Sequence, residues 1–312
     1  MNALLFPGQG SQLIGMGSEF YNKFEKVKKI FKNADDKLNF QISKIILEGP
    51  ADKLQMTENT QPAILLVSYS IFTILKEEFS IDAKSFKYFA GHSLGEYSAL
   101  VCSESISFDD ALYLLNERGK AMQAAVPVGE GSMIAVLGLK SEEIEAIIKK
   151  INSNKICEIA NDNANGQVIV SGERNIVENL KDELKKQKIK TIPLKVSAPF
   201  HCSLMKPAAQ KMTKKINGTN FKNPLIDIIS NVTAKAENDP LRIKDLLINQ
   251  IFSTVRWRES LEFMFNNGVK NYVEVGPGKA LTGMVKRTLK NSNSFSINSI
   301  DDIKIIQNEF QK

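Results

Sequence analysis

The chain has 312 residues, 43% of them hydrophobic and 24% charged, with a net charge of +6. That length can bury a large core in one big domain or two unequal ones, and the ordinary composition excludes a disordered, fibrous or disulfide-built protein. The longest apolar run, Ala63 to Leu75, contains Ser68, Tyr69, Ser70 and Thr73 and is too short to span a bilayer.

The opening Met1-Asn2-Ala3-Leu4-Leu5-Phe6 has no basic segment and reaches Pro7 and Gly8 too early for a signal peptide. Cys102, Cys157 and Cys202 are odd in number and form no C-x-x-C pair. A reduced, cytoplasmic protein without disulfides or a bound metal is expected. The positive charge is spread over lysines such as Lys26, Lys28, Lys29, Lys185, Lys186 and Lys188. These are either solvated helix faces or a surface that steers an acidic partner. No nucleic-acid module or aromatic-basic platform is present, so nucleic acid is not an expected partner, and neither is a membrane.

Ala3–Phe6 reads as a short buried strand running into Pro7-Gly8-Gln9-Gly10-Ser11-Gln12. That loop is either an ordinary strand-to-helix turn or a place where backbone approaches a ligand closely. Ser18–Lys37 and Thr60–Phe79 have helical patterns, the second with Thr60 as its cap and Pro62 in its first turn. Ala63, Leu66, Val67, Ser70, Ile71 and Ile74 then form a wide stripe, so this helix should be deeply packed.

Next comes Gly91-His92-Ser93-Leu94-Gly95, preceded by the apolar Phe86–Ala90 and followed by helix-like Glu96–Val101. Strand, sharp turn and helix around G-x-S-x-G describe a nucleophile elbow. Ser93 would sit at its apex in a strained conformation, with the amide of Leu94 free to stabilise an oxyanion. In the helix that follows, Asp109 to Gln123, the stripe Ala111, Leu114, Leu115, Arg118, Met122 places an arginine on the buried face. Arg118 there needs either a structural salt bridge or a substrate carboxylate to grip.

From 129 to 196 the character changes. Strand-like Ser132–Leu139, a helix capped by Ser141, strands Cys157–Ala160 and Gln167–Ser171, a helix bearing Ile176, Leu180 and Leu184, and strand Thr191–Val196 follow in order. β-α-β-β-α-β is the ferredoxin-like unit. The expected organisation is a small domain, 128–197, inserted into a larger one made of 1–127 and 198–312. The chain re-enters at Phe200-His201-Cys202 and continues through a helix near 204–217, a strand at Leu225–Ser230, and helices near 241–251 and 257–267. A strand at Asn271–Val275 and a last helix near 279–290 complete the pattern, and the tail beyond Asn291 carries no clear signal. Alternating strands and helices imply a mostly parallel sheet covered on both faces. Val275-Gly276-Pro277-Gly278-Lys279 matches neither phosphate-loop spacing and is not read as a nucleotide site.

A serine needs a base, and the chain has two histidines. His92 adjoins Ser93, where side chains diverge, and is better suited to bracing the turn. His201 lies at the junction between the two predicted domains, where clefts form, and is the candidate base. Asp109, Asp110, Asp162 and Asp182 fall between Ser93 and His201, so a Ser-Asp-His order stays open.

With these residues in place, the chain resembles the malonyl-CoA:acyl-carrier-protein transacylase family of type II fatty-acid synthesis. The landmarks run in order: Phe6-Pro7-Gly8-Gln9-Gly10-Ser11-Gln12, Gly91-His92-Ser93-Leu94-Gly95-Glu96, Arg118-Gly119, Gly166-Gln167-Val168, His201 and Glu274-Val275-Gly276-Pro277-Gly278. The resemblance implies an α/β-hydrolase-like core with a ferredoxin-like insert. It implies a ping-pong transfer of malonyl from malonyl-CoA, through malonyl-Ser93, to the phosphopantetheine thiol of acyl carrier protein. By the same resemblance His201 is the base, Arg118 binds the malonyl carboxylate, and Gln9 with the amide of Leu94 forms the oxyanion hole. Gln250 matches the position whose main-chain carbonyl orients the histidine, and Phe200 the position that favours malonyl over methylmalonyl. No cofactor beyond the substrates is implied, and a monomer is expected. The rivals are a thioesterase, a polyketide acyltransferase and an inactive carrier-binding homologue.

Overall fold

Ala3, Leu4, Leu5 and Phe6 are all fully buried because both faces of their strand are covered. Leu4 and Phe6 point into one core and Ala3 and Leu5 into another, the period-two alternation of a strand. A run apolar at every position is what a central parallel strand requires. The structure, a computed structural model, describes residues 1–310 apart from 152, 153 and 197. The predicted boundary residue Ser197 lies outside the described residues.

The strands are β1 (Asn2–Phe6), β2 (Tyr88–Gly91), β3 (Gly131–Leu137), β4 (Cys157–Ala164), β5 (Gln167–Glu173), β6 (Lys190–Pro193), β7 (Ile228–Ile229), β8 (Ala236–Glu237), β9 (Asn271–Val275) and β10 (Asn293–Ile297). Six form one sheet in the order β10-β9-β1-β2-β7-β8, parallel throughout except for β7 against β8. The other four form an antiparallel sheet in the order β4-β5-β3-β6. Helices Ser141–Ile151 and Arg174–Lys186 connect its strands in the β-α-β-β-α-β sequence, and together they enclose a core of Ile134, Val136, Val170, Leu180 and Leu184. The predicted fold class, a mostly parallel α/β sheet with a ferredoxin-like second sheet, is the one observed.

Several local expectations are corrected. The helical stretch from Ser18 is two helices, Ser18–Lys23 and Glu25–Leu38, because Phe24 between them is extended. Two short helices, Ile42–Leu47 and Ala51–Gln55, were not foreseen. The long helix is Thr57–Phe79, so Thr60 is not its cap; its hydroxyl turns back to the Leu54 carbonyl at 2.6 Å. Pro62 therefore lies past the first turn, where its missing N–H strips the Glu58 carbonyl of its helical donor. The side-chain amide of Asn116 supplies the replacement at 3.0 Å. Asn116→Leu should cost about 1–3 kcal/mol by leaving that carbonyl unpaired, read as a lower urea midpoint with unchanged slope.

Ser141 does not cap its helix. It is the first helical residue with an unpartnered hydroxyl, and Glu143 instead reaches back to the Lys140 amide at 2.8 Å. β4 runs on through Asn161, Asp162 and Asn163, past the predicted strand end at Ala160. Register shifts at Ile159/Asn161 and Asp162/Ala164 absorb the poor strand formers, and all three side chains are buried. The strand expected at Leu225–Ser230 shrinks to β7, while β6 ends at Pro193. The helix ending at Thr288 is not the last: β10 and the helix Ile300–Phe310 follow, with Ile297, Ile300, Ile303 and Ile306 buried. Glu274, one of the sequence landmarks, accepts the amides of Leu281 at 3.2 Å and Thr282 at 2.8 Å, and so holds the first turn of Ala280–Thr288. Among the described residues no helix is long and apolar enough to cross a membrane.

Candidate active site

β1 and β2 are parallel neighbours in register, Phe6 opposite Gly91. The loop holding Gln9 and the turn holding Ser93 therefore leave the sheet at the same edge, the C-terminal edge where α/β sheets bind ligands. Ser93 has φ 54°, a left-handed value that a non-glycine residue adopts only under constraint. The flanking glycines allow it. A Cβ on Gly91 would lie 1.9 Å from the carbonyl of Gly95, and one on Gly95 would lie 2.3 Å from the oxygen of Phe6. Helix Gly95–Cys102 starts at once, and the amide of Leu94 donates to nothing among the described residues.

His201 Nε2 is 2.8 Å from Ser93 Oγ, and its Nδ1 is 2.9 Å from the main-chain oxygen of Gln250. A carbonyl can only accept, so Nδ1 carries the proton and Nε2 is left to take one from the serine. The third partner is thus a carbonyl. Asp162 is paired with Arg258, Asp109 with Asn33 and Asp110 with Ser107, and Asp182 is exposed, which closes the Ser-Asp-His alternative. His201, like Ser93, has a positive φ, 56°, a second strained position that no sequence signal announced. Burial first, and the charge of Arg118 second, lower its pKa to about 3. The proton-accepting form therefore persists well below the usual imidazole range. The free-enzyme kcat/KM should stay flat from pH 8 to about 5, whereas an unperturbed histidine would lose about thirtyfold by pH 5. A rate profile with a limb centred near 6.5 would contradict the assignment.

Arg118 reaches this point from helix Phe108–Gln123, on the stripe that the spacing marked. Gly119 beside it lets that helix touch Thr57–Phe79 backbone to backbone; a Cβ there would be 2.5 Å from the Cα of Glu58. The guanidinium is 1% exposed and donates to Gln61 Oε1 at 2.7 Å, Gln250 Oε1 at 2.8 Å and Ser93 Oγ at 3.1 Å. No ion pair among the described residues includes it, and its Nε has no acceptor. The structural salt bridge is therefore absent. Burial lowers its pKa while Tyr97 and Glu96 push it back up, and an arginine stays charged regardless.

Ser93, His201, Arg118, Gln9, Gln61 and Phe200 line one cavity of about 100 Å³, closed by Met122, Met133, Leu194 and Val196. That is room for several waters, or a short acyl group. Gln9 also donates weakly to Thr57 Oγ1 at 3.4 Å, and Gln9 and Val196 are shared with a trough of about 540 Å³ leading outward. His92, expected to brace the turn, also bonds Asn163 Oδ1 at 2.8 Å and packs its ring against Trp257, tying the elbow to β4.

Sequence reasoning missed Gln61, Asn231 and the environment of Glu96. Asn231 Oδ1 accepts the Ser93 amide at 2.7 Å. Glu96 is 2% exposed, and its Oε2 accepts Asn231 N at 3.1 Å and Gln250 Nε2 at 2.8 Å. Burial raises its pKa to about 7, against the opposing pull of those bonds and Arg118. Its place three residues after the elbow serine was the one available signal. No group of three or more histidine, cysteine or acidic side chains that could hold a metal occurs among the described residues.

A strained serine, a histidine 2.8 Å from its oxygen and a buried arginine without an ion pair thus meet at the edge of a parallel sheet on an α/β scaffold. The acyl transferase domain matches residues 3–307, and the chain belongs to that family. It is 40% identical to a malonyl CoA-acyl carrier protein transacylase of Bacillus subtilis, over 97% of this chain and 95% of the relative. Identity to the Haemophilus influenzae protein of the same name is 39%, over 98% and 97%. The crystal structure of an acyl-carrier-protein-S-malonyltransferase from Bartonella henselae superposes with a TM-score of 0.96 at 40% identity, covering 100% of this chain and 99% of that one. A type II PKS acyl-carrier protein in complex with its malonyl-transacylase contains a chain that matches with a TM-score of 0.95 at 38% identity, covering 99% of each.

Proposed function

We propose that this acyltransferase moves malonyl from malonyl-CoA to the phosphopantetheine thiol of acyl carrier protein through a malonyl-Ser93 intermediate, supplying fatty-acid elongation. The observation that carries this is the position of Arg118, a buried cation with no carboxylate of its own, 3.1 Å from the serine oxygen in a cavity sized for a short acyl group. A simple esterase has no use for it. The names of the relatives point the same way.

The acyl chain enters with its carboxylate on Arg118. Ser93 Oγ attacks the thioester carbon as its proton passes to His201 Nε2, and the Gln250 carbonyl steadies the imidazolium through Nδ1. The amide of Leu94 and Gln9 hold the oxyanion, typically worth about 10²–10³ in rate per donor. The C–S bond breaks, His201 returns the proton to the CoA thiolate, and the carrier thiol then runs the sequence in reverse. The pantetheine arm uses the trough shared through Gln9 and Val196. Phe200, against Met133 at the cavity wall, leaves little space for a methyl branch on the acyl group. No resident cofactor enters: CoA brings the thioester, and phosphopantetheine arrives on the partner. Three buried free thiols suit a cytoplasmic protein. We assign residues 128–197 to an inserted domain with its own core, set on a catalytic domain of 1–127 and 198–312.

Intact-mass spectrometry after mixing with malonyl-, methylmalonyl- and acetyl-CoA, followed by a chase with holo carrier protein, tests the whole sequence. A malonyl adduct that discharges onto the carrier is expected. Release of free malonate without carrier product would point to a thioesterase, and no adduct at all would end the proposal.

A further inference from the structure

We propose that Glu96 is a positioning residue, holding nucleophile, base and arginine in register through Gln250 and Asn231; this rests on the malonyl transfer proposed at Ser93. Each of the three groups hangs on one of two buried amides. Asn231 accepts the Ser93 amide at 2.7 Å and donates to the Gly91 oxygen at 2.7 Å, so it pins both sides of the elbow. Gln250 offers its main-chain oxygen to His201 Nδ1 at 2.9 Å and its side-chain oxygen to Arg118 Nη2 at 2.8 Å. Its Nε2 donates to the Ser93 oxygen at 3.0 Å and to Glu96 at 2.8 Å. Glu96 Oε2 accepts from both amide residues, which also meet each other weakly, Gln250 Nε2 donating to Asn231 Oδ1 at 3.5 Å.

A side-chain amide has two faces, and its partners decide which way it points. If the Gln250 amide flipped, its NH₂ would face the Arg118 guanidinium and its oxygen would face the Glu96 carboxylate. Both contacts would be repulsive. Glu96, an acceptor fixed on the first turn after the elbow, forbids that flip and keeps an oxygen facing Arg118. It also fixes the Asn231 backbone, from which the elbow is held. The group that aligns the nucleophile's partners thus lies three residues after it, in the helix that follows the elbow.

A carboxylate that merely stabilised the fold would scale all activities together. Alignment makes a different demand, because malonyl uses Arg118 and acetyl does not. Glu96→Gln keeps the reach and the acceptor oxygen; Glu96→Asp keeps the charge and shortens the arm by one methylene. We expect Glu96→Asp, normalised to folded protein, to lower malonyl kcat by about tenfold and the malonyl-to-acetyl ratio of kcat/KM by about fivefold, inside the roughly 10²-fold that a 1 Å misplacement can cost. Labelling of Ser93 by a fluorophosphonate should slow in parallel, while Glu96→Gln stays within about threefold of wild type throughout. An Asp variant with wild-type ratio and labelling rate, or a Gln variant that loses both, overturns the assignment. If wild type forms no malonyl adduct, the proposed transfer falls, and the labelling rate, which needs no malonyl, still tests Glu96.

Discussion

Ser93→Ala is expected to abolish the malonyl-enzyme, and His201→Ala to slow its formation by about 10⁴–10⁶-fold. The size follows from the geometry. Ser93 Oγ is 2.8 Å from His201 Nε2 and buried with it, so no bulk water stands ready to replace the base. Single-turnover acylation by malonyl-CoA, followed by intact mass, measures both variants. A His201→Ala variant that acylates at the wild-type rate would mean that His201 serves some step other than proton removal from Ser93.

Arg118→Ala should cut malonyl kcat/KM by about 30- to 5000-fold, the equivalent of 2–5 kcal/mol for a desolvated charge pair. Acetyl transfer should change far less, since an acetyl group presents no carboxylate. Some loss is expected even there, because Arg118 also touches Ser93 Oγ and Gln250 Oε1. The informative number is the ratio of the two substrates. Arg118→Lys should not restore it: one ammonium cannot span Gln61 and Gln250 and still face a carboxylate in a planar fork. Parallel kinetics with malonyl- and acetyl-CoA decide the point, and unchanged malonyl kinetics would remove Arg118 from substrate binding.

Short-range regularities carried well from sequence to structure. The elbow was legible because its geometry depends on neighbours within five residues: glycines where a Cβ would collide, and a serine between them. Arg118 was legible because helical periodicity places it on a stripe with Leu114 and Leu115 whatever that stripe packs against. The Asn161–Asn163 segment failed for the opposite reason. Its residues are poor strand formers, and only pairing with β5 and the partners His92 and Arg258 keep it extended and buried. The long helix was misplaced at its start because Pro62 is tolerated there through Asn116, 58 residues from Glu58. The terminal β10 and its helix rest on Ile297, Ile300, Ile303 and Ile306, four positions too few to stand out until the core they pack against is in place.

The chemistry of single positions was local information: which serine could be strained, which of two histidines was free to serve it, which arginine was buried. Their assembly was not. Gln250 bonds the Ser93 oxygen across 157 residues, and Asn231 meets the Ser93 amide across 138. Nothing in the local spacing of either marks it as a partner of the elbow. The family resemblance pointed to the Gln250 carbonyl, but not to its side chain as the hub. That a carbonyl and not an aspartate faces His201, that Arg118 has no carboxylate, and that one buried glutamate touches both supporting amides all depend on how the sheet edge and four separate helices close around the cavity. Side-chain partners at such separations are set by packing, and only the folded chain brings them within 3 Å.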